Sequence, residues 1–256
     1  LFVSLCFRFF FFSFGFFLFV VYKKYKFITS KKNLFSSILS GILFHGVYLG
    51  GVFFSVSKGL PTGIAALIVT LQPILTNTFA GPLLNEKITW RQWAGVMLGF
   101  SGAVLVLGFD IGSNFPTIGV VAAFISLISV TAATLWQKKI TNNLPLPVSN
   151  LYQAIGGFVF HALVTLFFEN SFISFTPTFI IAMSHQIFLV SFGAFTIFMY
   201  LLHKGSASKT VTLFFLVPPA SAIMAWVFLN EYLSTLDIFG FGIATLGVYI
   251  ATRQKV

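Results

Sequence analysis

Long apolar stretches alternate with short polar breaks along the whole chain. The stretches are longer than β-strands and lack the period-two alternation of a half-buried strand, so they predict helices. Each approaches the length of about 20 apolar residues that a membrane-spanning helix requires. We predict nine spanning helices, at about residues 2–22, 34–57, 61–85, 91–109, 116–137, 149–168, 181–203, 208–230 and 236–252. The expected fold class is all-α, a polytopic membrane helical bundle with short connections.

The composition is that of a membrane protein rather than of a soluble domain. Hydrophobic residues make up 57% of the chain and charged residues only 8%, whereas a soluble domain carries roughly 25% charged residues. A soluble enzyme and a disordered chain are therefore excluded. Because Cys6 is the one cysteine, an intrachain disulfide and a multi-cysteine metal site are excluded as well.

The formal net charge of +10 could at first sight indicate nucleic-acid binding. The basic residues are instead scattered between the apolar stretches, which is typical of cytoplasmic loops in membrane proteins. We therefore expect a lipid bilayer, and no nucleic acid, as the partner of this charge.

The basic residues give one consistent orientation. If the loop at 23–33 is cytoplasmic, alternation of the nine spans places 13 of the 15 lysines and arginines on that side. The two exceptions are Arg8, inside the first span, and Lys58, in an outer turn. We expect an integral protein of the bacterial inner (plasma) membrane with a cytoplasmic C-terminus.

The chain contains an internal repeat at an offset of 145 residues, because residues 71–86 recur as residues 216–231. The positions with identical partners in this segment are Leu71, Pro73, Ala80, Leu84, Asn85 and Glu86. Farther along, two glycine pairs and two capping-box-like helix starts also match: Gly95 with Gly240, Gly102 with Gly247, and Thr89-x-x-Gln92 with Ser234-x-x-Asp237.

The repeat predicts two inverted halves. It pairs the third span with the eighth, five spans later, and an odd number of spans reverses the direction of a helix. Inverted repeats are a signature of secondary transporters, because two equivalent halves can exchange inward-open and outward-open shapes around a midplane site. We expect a first repeat at 1–109 and a second at 116–256, within a single membrane domain.

The first half lacks a counterpart of the span at 116–137. The chain also begins with Leu1 rather than Met, inside an apolar stretch and on the predicted outer side. We expect about 25–40 further residues upstream, including one apolar span. A genuine nine-helix protein is the alternative.

Two segments give the chain a family resemblance. Residues 63–73, of sequence GIAALIVTLQP, are followed by Glu86 and by residues 93–105, of sequence WAGVMLGFSGAVL. This pattern resembles the EamA-type transporters of the drug/metabolite transporter superfamily, and the second half of the chain repeats it more loosely. Arg8-Phe9 resembles the Arg-Phe of that family's second helix, and Gln153 lies at the matching place in the second half.

The resemblance implies ten helices in two inverted five-helix halves, with a central cavity and with efflux or exchange of small metabolites. This chain departs from the family pattern because it lacks the first helix, which helps to line the cavity in the family.

Polar residues and prolines inside the spans are the candidates for lining a substrate cavity, because such groups avoid lipid. The candidates are Arg8, His45, Tyr48, Thr70, Pro73, Asn77, Gln153, Pro218 and Ser221. The charge of Arg8 would suit a carboxylate or a phosphate, and snorkelling to the outer surface is its alternative role. For the prolines the alternative is a static kink, and for the other polar residues it is an interhelical hydrogen bond.

Two further groups of residues are expected to be structural. Glu86 and Glu231 lie at opposite membrane surfaces, so they cannot form a carboxylate pair and should bond helix ends. Small-residue faces should let helices approach closely, within the bundle or across a homodimer, at Gly95, Gly99, Gly102, Gly240 and Gly247. The sequence has no catalytic triad, phosphate loop or metal-ligand spacing, so we expect no catalytic residues, no metal and no cofactor.

These patterns favour a secondary transporter, an exporter or exchanger that moves a small-molecule substrate through a central cavity by alternating access. An intramembrane enzyme would need paired titratable groups at one depth of the membrane, and the sequence offers none, so we do not expect an enzyme. The alternatives are an inactive truncated transporter and a non-transporting membrane scaffold.

The predicted orientation can be tested by cysteine labelling in a Cys6→Ser background. Cysteines placed in the loops at 23–33, 86–90 and 138–148 should resist an impermeant thiol reagent added to intact cells, because these basic loops face the cytoplasm. A cysteine at Lys58 should react and serves as the positive control. Ready labelling of the 138–148 loop would reverse the topology.

Overall fold

The architecture is taken from a computed structural model that describes residues 1–27, 30–108, 115–140, 144–169, 173–229, 232 and 234–253. The described residues form helices joined by short turns, and none of them forms a strand. The all-α fold class predicted from the hydrophobic pattern is therefore confirmed.

The helices follow the predicted spans closely, with each end moved by a few residues. The first four are α1 (Phe2–Tyr22), α2 (Lys31–Ser57), α3 (Thr62–Leu84) and α4 (Trp90–Leu107). The remaining five are α5 (Thr117–Ile140), α6 (Leu146–Phe168), α7 (Pro177–Lys204), α8 (207–229) and α9 (Thr235–Thr252).

Eight of these helices are long and apolar enough to cross a membrane by length and composition. The helix outside that set is α4, which begins with Trp90, Arg91 and Gln92. These three residues lower the mean hydropathy of its 18-residue length, and the rest of α4 is apolar.

The two capping boxes predicted from the sequence are present at the N-termini of α4 and α9. At α4 the Thr89 side chain accepts from the backbone N–H of Gln92, at 3.3 Å, and Gln92 Oε1 accepts from the Thr89 N–H, at 2.9 Å. Ser234 and Asp237 make the same reciprocal pair at α9, at 3.1 and 2.8 Å. Each box satisfies two backbone donors that the helix itself leaves unpaired.

Pro73 and Pro218 each lie just after an interruption of regular α-helix. In α3 the regular α-helix stops at Thr70 and Leu71, where the Leu71 N–H donates to Ile68 O at 3.1 Å, and Pro73 lies in the first turn of the segment that follows. In α8 a 3₁₀ segment at Leu213–Leu216 ends two residues before Pro218. Proline has no N–H to donate to the preceding turn, which accounts for a break at these places.

Two π-helical segments interrupt the α-helices in a way that the hydrophobic pattern did not indicate. They lie at Ile42–Tyr48 in α2 and at His185–Ala194 in α7. At the repeat offset of 145 residues, 42–48 corresponds to 187–193, inside the second segment. The bounds of α4 correspond in the same way to those of α9. The repeat thus extends from residue identities to local backbone conformation.

The chain forms two compact units, and each unit takes helices from both sequence halves. The first comprises Leu1–Phe54 and Ile128–Gly205, and therefore α1, most of α2, the end of α5, α6 and α7. The second comprises Ser55–Leu127 and Ser206–Val256, with α3, α4, the start of α5, α8 and α9. The repeat boundaries at 1–109 and 116–256 stay a prediction.

In the first unit, α6 is the central helix, and both α1 and α2 pack against it. The end of α5 is bonded to α2, where Ser129 Oγ donates to Leu43 O at 2.8 Å and Trp136 Nε1 donates to Ser36 O at 3.3 Å. At the end of α7, Lys138 Nζ donates to the carbonyl of Gly205 at 2.6 Å, which satisfies one of the acceptors that a helix terminus leaves unpaired.

In the second unit, α4 and α9 pack against each other along their glycines. A Cβ added at Gly95 would lie 2.6 Å from Gly247 O, and one added at Gly102 would lie 2.6 Å from Gly240 O. Gly99 is covered by the ring of Phe215 from α8. All five glycines of the predicted packing faces are therefore engaged within this unit.

Glu86 bonds the start of α8 in the second unit. Its two carboxylate oxygens accept from the backbone N–H groups of Ala207, at 2.7 Å, and Ser208, at 3.2 Å. A carboxylate at a helix N-terminus satisfies free donors and interacts favourably with the helix dipole. This geometry fits the structural role expected for Glu86, whereas Glu231 lies outside the described residues.

We expect Gly247→Ala to destabilise the protein, because its new Cβ would lie 2.7 Å from Gly95 O. Overpacking of this kind costs about 1–3 kcal/mol. The matched control is Gly242→Ala in the same helix, where an added Cβ meets nothing within 4 Å. Thermal midpoints of the two detergent-solubilised variants, measured by size-exclusion chromatography after heating, should differ clearly. Equal midpoints would contradict the close packing of α4 on α9.

We expect Glu86→Ala to lower the amount of folded protein, because two backbone N–H groups at the start of α8 lose their acceptors, at a cost of about 1–3 kcal/mol each. Glu86→Gln keeps one acceptor oxygen and should have a smaller effect. Membrane abundance on immunoblots measures the loss. A reduced transport rate per folded molecule at normal abundance would contradict a purely structural role.

Candidate functional site

The candidate cavity residues are divided between the two compact units. The first unit contains Arg8, His45, Tyr48 and Gln153, and the second contains Thr70, Pro73, Asn77, Pro218 and Ser221. A single cavity that all of them line stays a prediction. Within each unit, however, the surroundings of every candidate can be described.

Arg8 is a buried cation held in a fixed orientation. Its side chain is 7% exposed, and its Nε donates to Ser191 Oγ at 2.8 Å. The Ser191 hydroxyl donates in turn to the carbonyl of Gln186, at 3.0 Å, within the π-helical segment of α7. The guanidinium also lies 5.3 Å from the centre of the Phe9 ring. Arg8 is thus directed at the middle of α7, and the choice between a cavity role and snorkelling stays a prediction.

The first unit offers Arg8 no acidic counter-ion. Its one acidic residue in the sequence is Glu169, whose carboxylate accepts from the backbone N–H of Val3 at 2.9 Å. An arginine at the centre of a spanning helix costs roughly 2.5–3.5 kcal/mol on insertion scales. Such a residue, left without a carboxylate partner, is a candidate for a functional site.

Two histidines lie beside Arg8's helix in an aromatic cage. The ring of His45 is 4.8 Å from that of Phe9 and 4.5 Å from that of Phe195. His161 of α6 stacks on the other side of this cluster, with its ring 5.5 Å from Phe9, and its Nε2 donates to the carbonyl of His45 at 2.9 Å. Tyr48, at the end of the same π-helical segment, is half-buried and borders Phe44.

Gln153 belongs to a hydrogen-bonded chain of side chains in the first unit. Gln137 Nε2 of α5 donates to Gln153 Oε1, and Gln153 Nε2 donates to Ser149 Oγ at 3.1 Å. All three side chains are buried. This arrangement corresponds to the alternative role of Gln153, an interhelical hydrogen bond.

Asn77 occupies a similar network in the second unit. Its Oδ1 accepts from the Ser208 hydroxyl, and that hydroxyl also accepts from Gln92 Nε2 at 3.5 Å, so α3, α4 and α8 are joined. Thr70 bonds the Ala66 carbonyl of its own helix at 2.7 Å. Ser221, by contrast, is exposed at the surface of the chain.

Sequence reasoning missed three residues that complete these clusters, namely Gln137, His161 and Ser191. Each is a polar residue on a helix whose partner lies far away in the sequence, so spacing along the chain gives no signal. Among the described residues, no group of three or more His, Cys, Asp or Glu side chains is placed to hold a metal ion.

An aromatic groove of about 630 Å³ runs between α1 and α7 in the first unit. Phe11, Phe14, Phe188 and Phe192 form much of its wall, and no charged side chain lines it. The groove therefore suits an apolar chain. The polar groups at Arg8, His45 and Ser191 belong to the same unit but do not line the groove.

The comparisons with known proteins agree with this architecture. The model of the EamA-like transporter family matches the chain twice, at residues 2–108 and 117–253. A solved crystal structure superposes with a TM-score of 0.83 over 98% of this chain and 87% of that chain, at 18% sequence identity, and so shows the fold.

Three relatives illustrate the sequence similarity. An uncharacterized transporter of Bacillus subtilis is 30% identical over 78% of this chain, and a chloroplastic WAT1-related protein of Arabidopsis thaliana is 24% identical over 73% of it. A probable amino-acid metabolite efflux pump of Salmonella typhimurium is 23% identical over 78% of this chain and 70% of its own length. The chain spans 65% of the Bacillus relative and 48% of the Arabidopsis relative.

The double match covers nearly all of the chain, and the Bacillus and Salmonella relatives are named as a transporter and as a probable efflux pump. The protein is an integral membrane protein with an all-α fold, and it belongs to the EamA-like transporter family.

Proposed function

We propose that this protein is a secondary transporter that moves small organic metabolites across the bacterial plasma membrane by alternating access. The observation that carries the proposal is the repetition of backbone irregularities. The π-helical segments of α2 and α7, and the interruptions before Pro73 and Pro218, recur at the same offset as the sequence repeat.

These irregularities are suited to conformational exchange. A π-helical turn or a proline removes regular i to i−4 hydrogen bonds, and helices bend at such places. When both halves bend at equivalent positions, one half can adopt the shape that the other leaves, which is the basis of alternating access. A scaffold would have no need of matched bending points.

Export of metabolites is the direction that the relatives favour. The Salmonella relative is named a probable amino-acid metabolite efflux pump. We infer a similar class of cargo for this chain, namely small organic metabolites, with exchange as the second mode.

The hydrogen bonds at helix ends support the proposed orientation, with basic loops and the C-terminus in the cytoplasm. Lys138 bonds Gly205, which joins two loops predicted to be cytoplasmic. Tyr152 OH donates to Phe27 O, which ties the start of α6 to the loop at 23–33. Glu86 bonds Ala207, which joins the predicted cytoplasmic end of α3 to that of α8.

Two other functions compete with transport: a non-transporting scaffold, and an inactive transporter. A scaffold would bind a protein partner and pass no solute, and an inactive transporter would retain the fold without flux. A homodimer is compatible with all three and is a separate question of oligomeric state.

The proposal predicts that cells producing the full-length protein export particular metabolites faster than cells lacking its gene. Metabolite profiling of the medium identifies the solutes, and the purified protein in proteoliposomes should then show counterflow of the same solutes. Counterflow is the sharper test, because an exchanger accelerates uptake of labelled solute when unlabelled solute is inside, whereas a channel or scaffold does not. The control is protein carrying Gly242→Ala, which should transport normally. Absence of both export and counterflow from well-folded full-length protein would contradict the proposal.

A further inference from the structure

We propose that Arg8 binds the carboxylate of the transported solute, and that the substrates are organic monocarboxylates. This inference rests on the proposed transport function and adds the chemical class of the cargo. The geometry that points to it is a buried guanidinium whose two terminal nitrogens donate to none of the residues that the structure describes.

The hydrogen bonding of Arg8 leaves one edge of its guanidinium unused. Nε donates to Ser191 Oγ at 2.8 Å, and none of the described residues accepts from Nη1 or Nη2. Arginine has five N–H donors in a planar fork, and a carboxylate accepts two of them in parallel. The free edge of Arg8 therefore presents a bidentate site for an oxyanion.

Ser191 makes that site rigid. Its hydroxyl proton is committed to the Gln186 carbonyl, at 3.0 Å, so its oxygen lone pair points to Arg8 as an acceptor. The Phe9 ring, 5.3 Å from the guanidinium carbon, supports one face of the fork. A cation held in this way loses little conformational freedom when an anion binds.

The charge of the site favours a monovalent anion. Arg8 is the one lysine or arginine that lies within the spanning part of the first unit away from helix ends, because the others lie at 23–32, 138–139 and 204. A phosphate monoester carries close to two negative charges, and the spanning part of the first unit has no second lysine or arginine to balance them. A single carboxylate balances Arg8 without a second cation.

The surroundings also indicate what the remainder of the solute contains. The first unit has no acidic side chain besides Glu169, and that carboxylate already accepts from the backbone N–H of Val3 at the start of α1. An ammonium group on the solute would therefore find no ion-pair partner in this unit. The cage of Phe9, Phe195 and His45 offers apolar contacts instead, so an amine-free carboxylate with an apolar moiety should bind best.

The experiment measures binding with one carboxylate and its isosteres as probes. Full-length protein in lipid nanodiscs, in chloride-free buffer, is titrated with 3-phenylpropionate, 3-phenylpropionamide, 3-phenylpropylamine and phenyl phosphate, and binding is followed by calorimetry. We expect 3-phenylpropionate to bind and the amide, the amine and phenyl phosphate to bind about tenfold more weakly or worse. A chloride titration distinguishes an organic carboxylate site from a site for a small inorganic anion.

Three variants connect the binding to the geometry. Arg8→Gln should abolish carboxylate binding, and Arg8→Lys, which keeps the charge but loses the fork, should weaken it about tenfold or more. Ser191→Ala frees the guanidinium and should weaken it a few-fold, with a smaller preference for the carboxylate over the amide. Ser13→Ala removes a hydroxyl of α1 whose one partner in the described part of the chain is the Phe9 carbonyl, at 2.6 Å, and should change nothing. Thermal midpoints without ligand verify that each variant is folded.

Several outcomes would overturn the inference. They are binding of the amide or amine as tight as that of the carboxylate, carboxylate binding that survives Arg8→Gln, displacement of the carboxylate by chloride at equal concentration, and no carboxylate binding at millimolar concentration. Failure of the transport proposal looks different. Arg8-dependent binding of 3-phenylpropionate without counterflow of any solute would refute transport, whereas counterflow that is indifferent to Arg8→Gln would refute only the carboxylate site.

Discussion

The hydrocarbon core of a lipid bilayer offers a polypeptide no hydrogen-bond partner, and most features of this protein follow from that constraint. The helices satisfy their interior backbone groups, but each terminus leaves several donors or acceptors unpaired. The chain provides for these ends with side chains. The carboxylates of Glu86 and Glu169 accept from backbone N–H groups at the starts of α8 and α1. Lys138 donates to a carbonyl at the end of α7, and reciprocal caps begin α4 and α9. Four charged side chains near helix ends, Glu86, Lys138, Glu169 and Asp237, therefore have a structural use.

The same constraint explains which features could be predicted from the sequence. Helix positions follow from apolar length, and their starts follow from local capping chemistry, so Thr89-Gln92 and Ser234-Asp237 could be identified from residue types three positions apart. The interruptions in α3 and α8 were predictable as well, because proline lacks a backbone donor wherever it occurs. The family assignment followed from residue identities carried by the repeat.

The rest could not be predicted, because it depends on contacts between distant parts of the chain. Ser191 stands out only through its hydrogen bond with Arg8, and His161 only through its hydrogen bond with the carbonyl of His45. Gln137 stands out only through its hydrogen bond with Gln153. None of these pairs has a signature in spacing. The π-helical segments are also invisible in the hydrophobic pattern, since they contain the same apolar residues as the α-helices around them. Asn77 and Gln153 show why a polar residue in a span does not by itself predict a cavity. Such a residue can equally form a hydrogen bond between packed helices.

The π-helical segment of α2 changes which residues of that helix are turned towards α6. Before the segment, Gly41 lies against the backbone of Gln153, and after it Gly50 lies against His161, 3.1 Å from an added Cβ. Between them, consecutive residues both meet α6, since His45 lies beside Gly157 and Gly46 lies beside Phe160. In a regular α-helix the nine steps of about 100° from Gly41 to Gly50 would place the two glycines on opposite sides of α2. The wider turns of the π-helical segment keep both glycines against α6, so the segment accommodates one residue more than a regular helix would between the two contacts. Loss of one residue from Ile42–Tyr48 would let α2 close into a regular α-helix with both glycine contacts kept, and the widened turn that carries His45 would be lost.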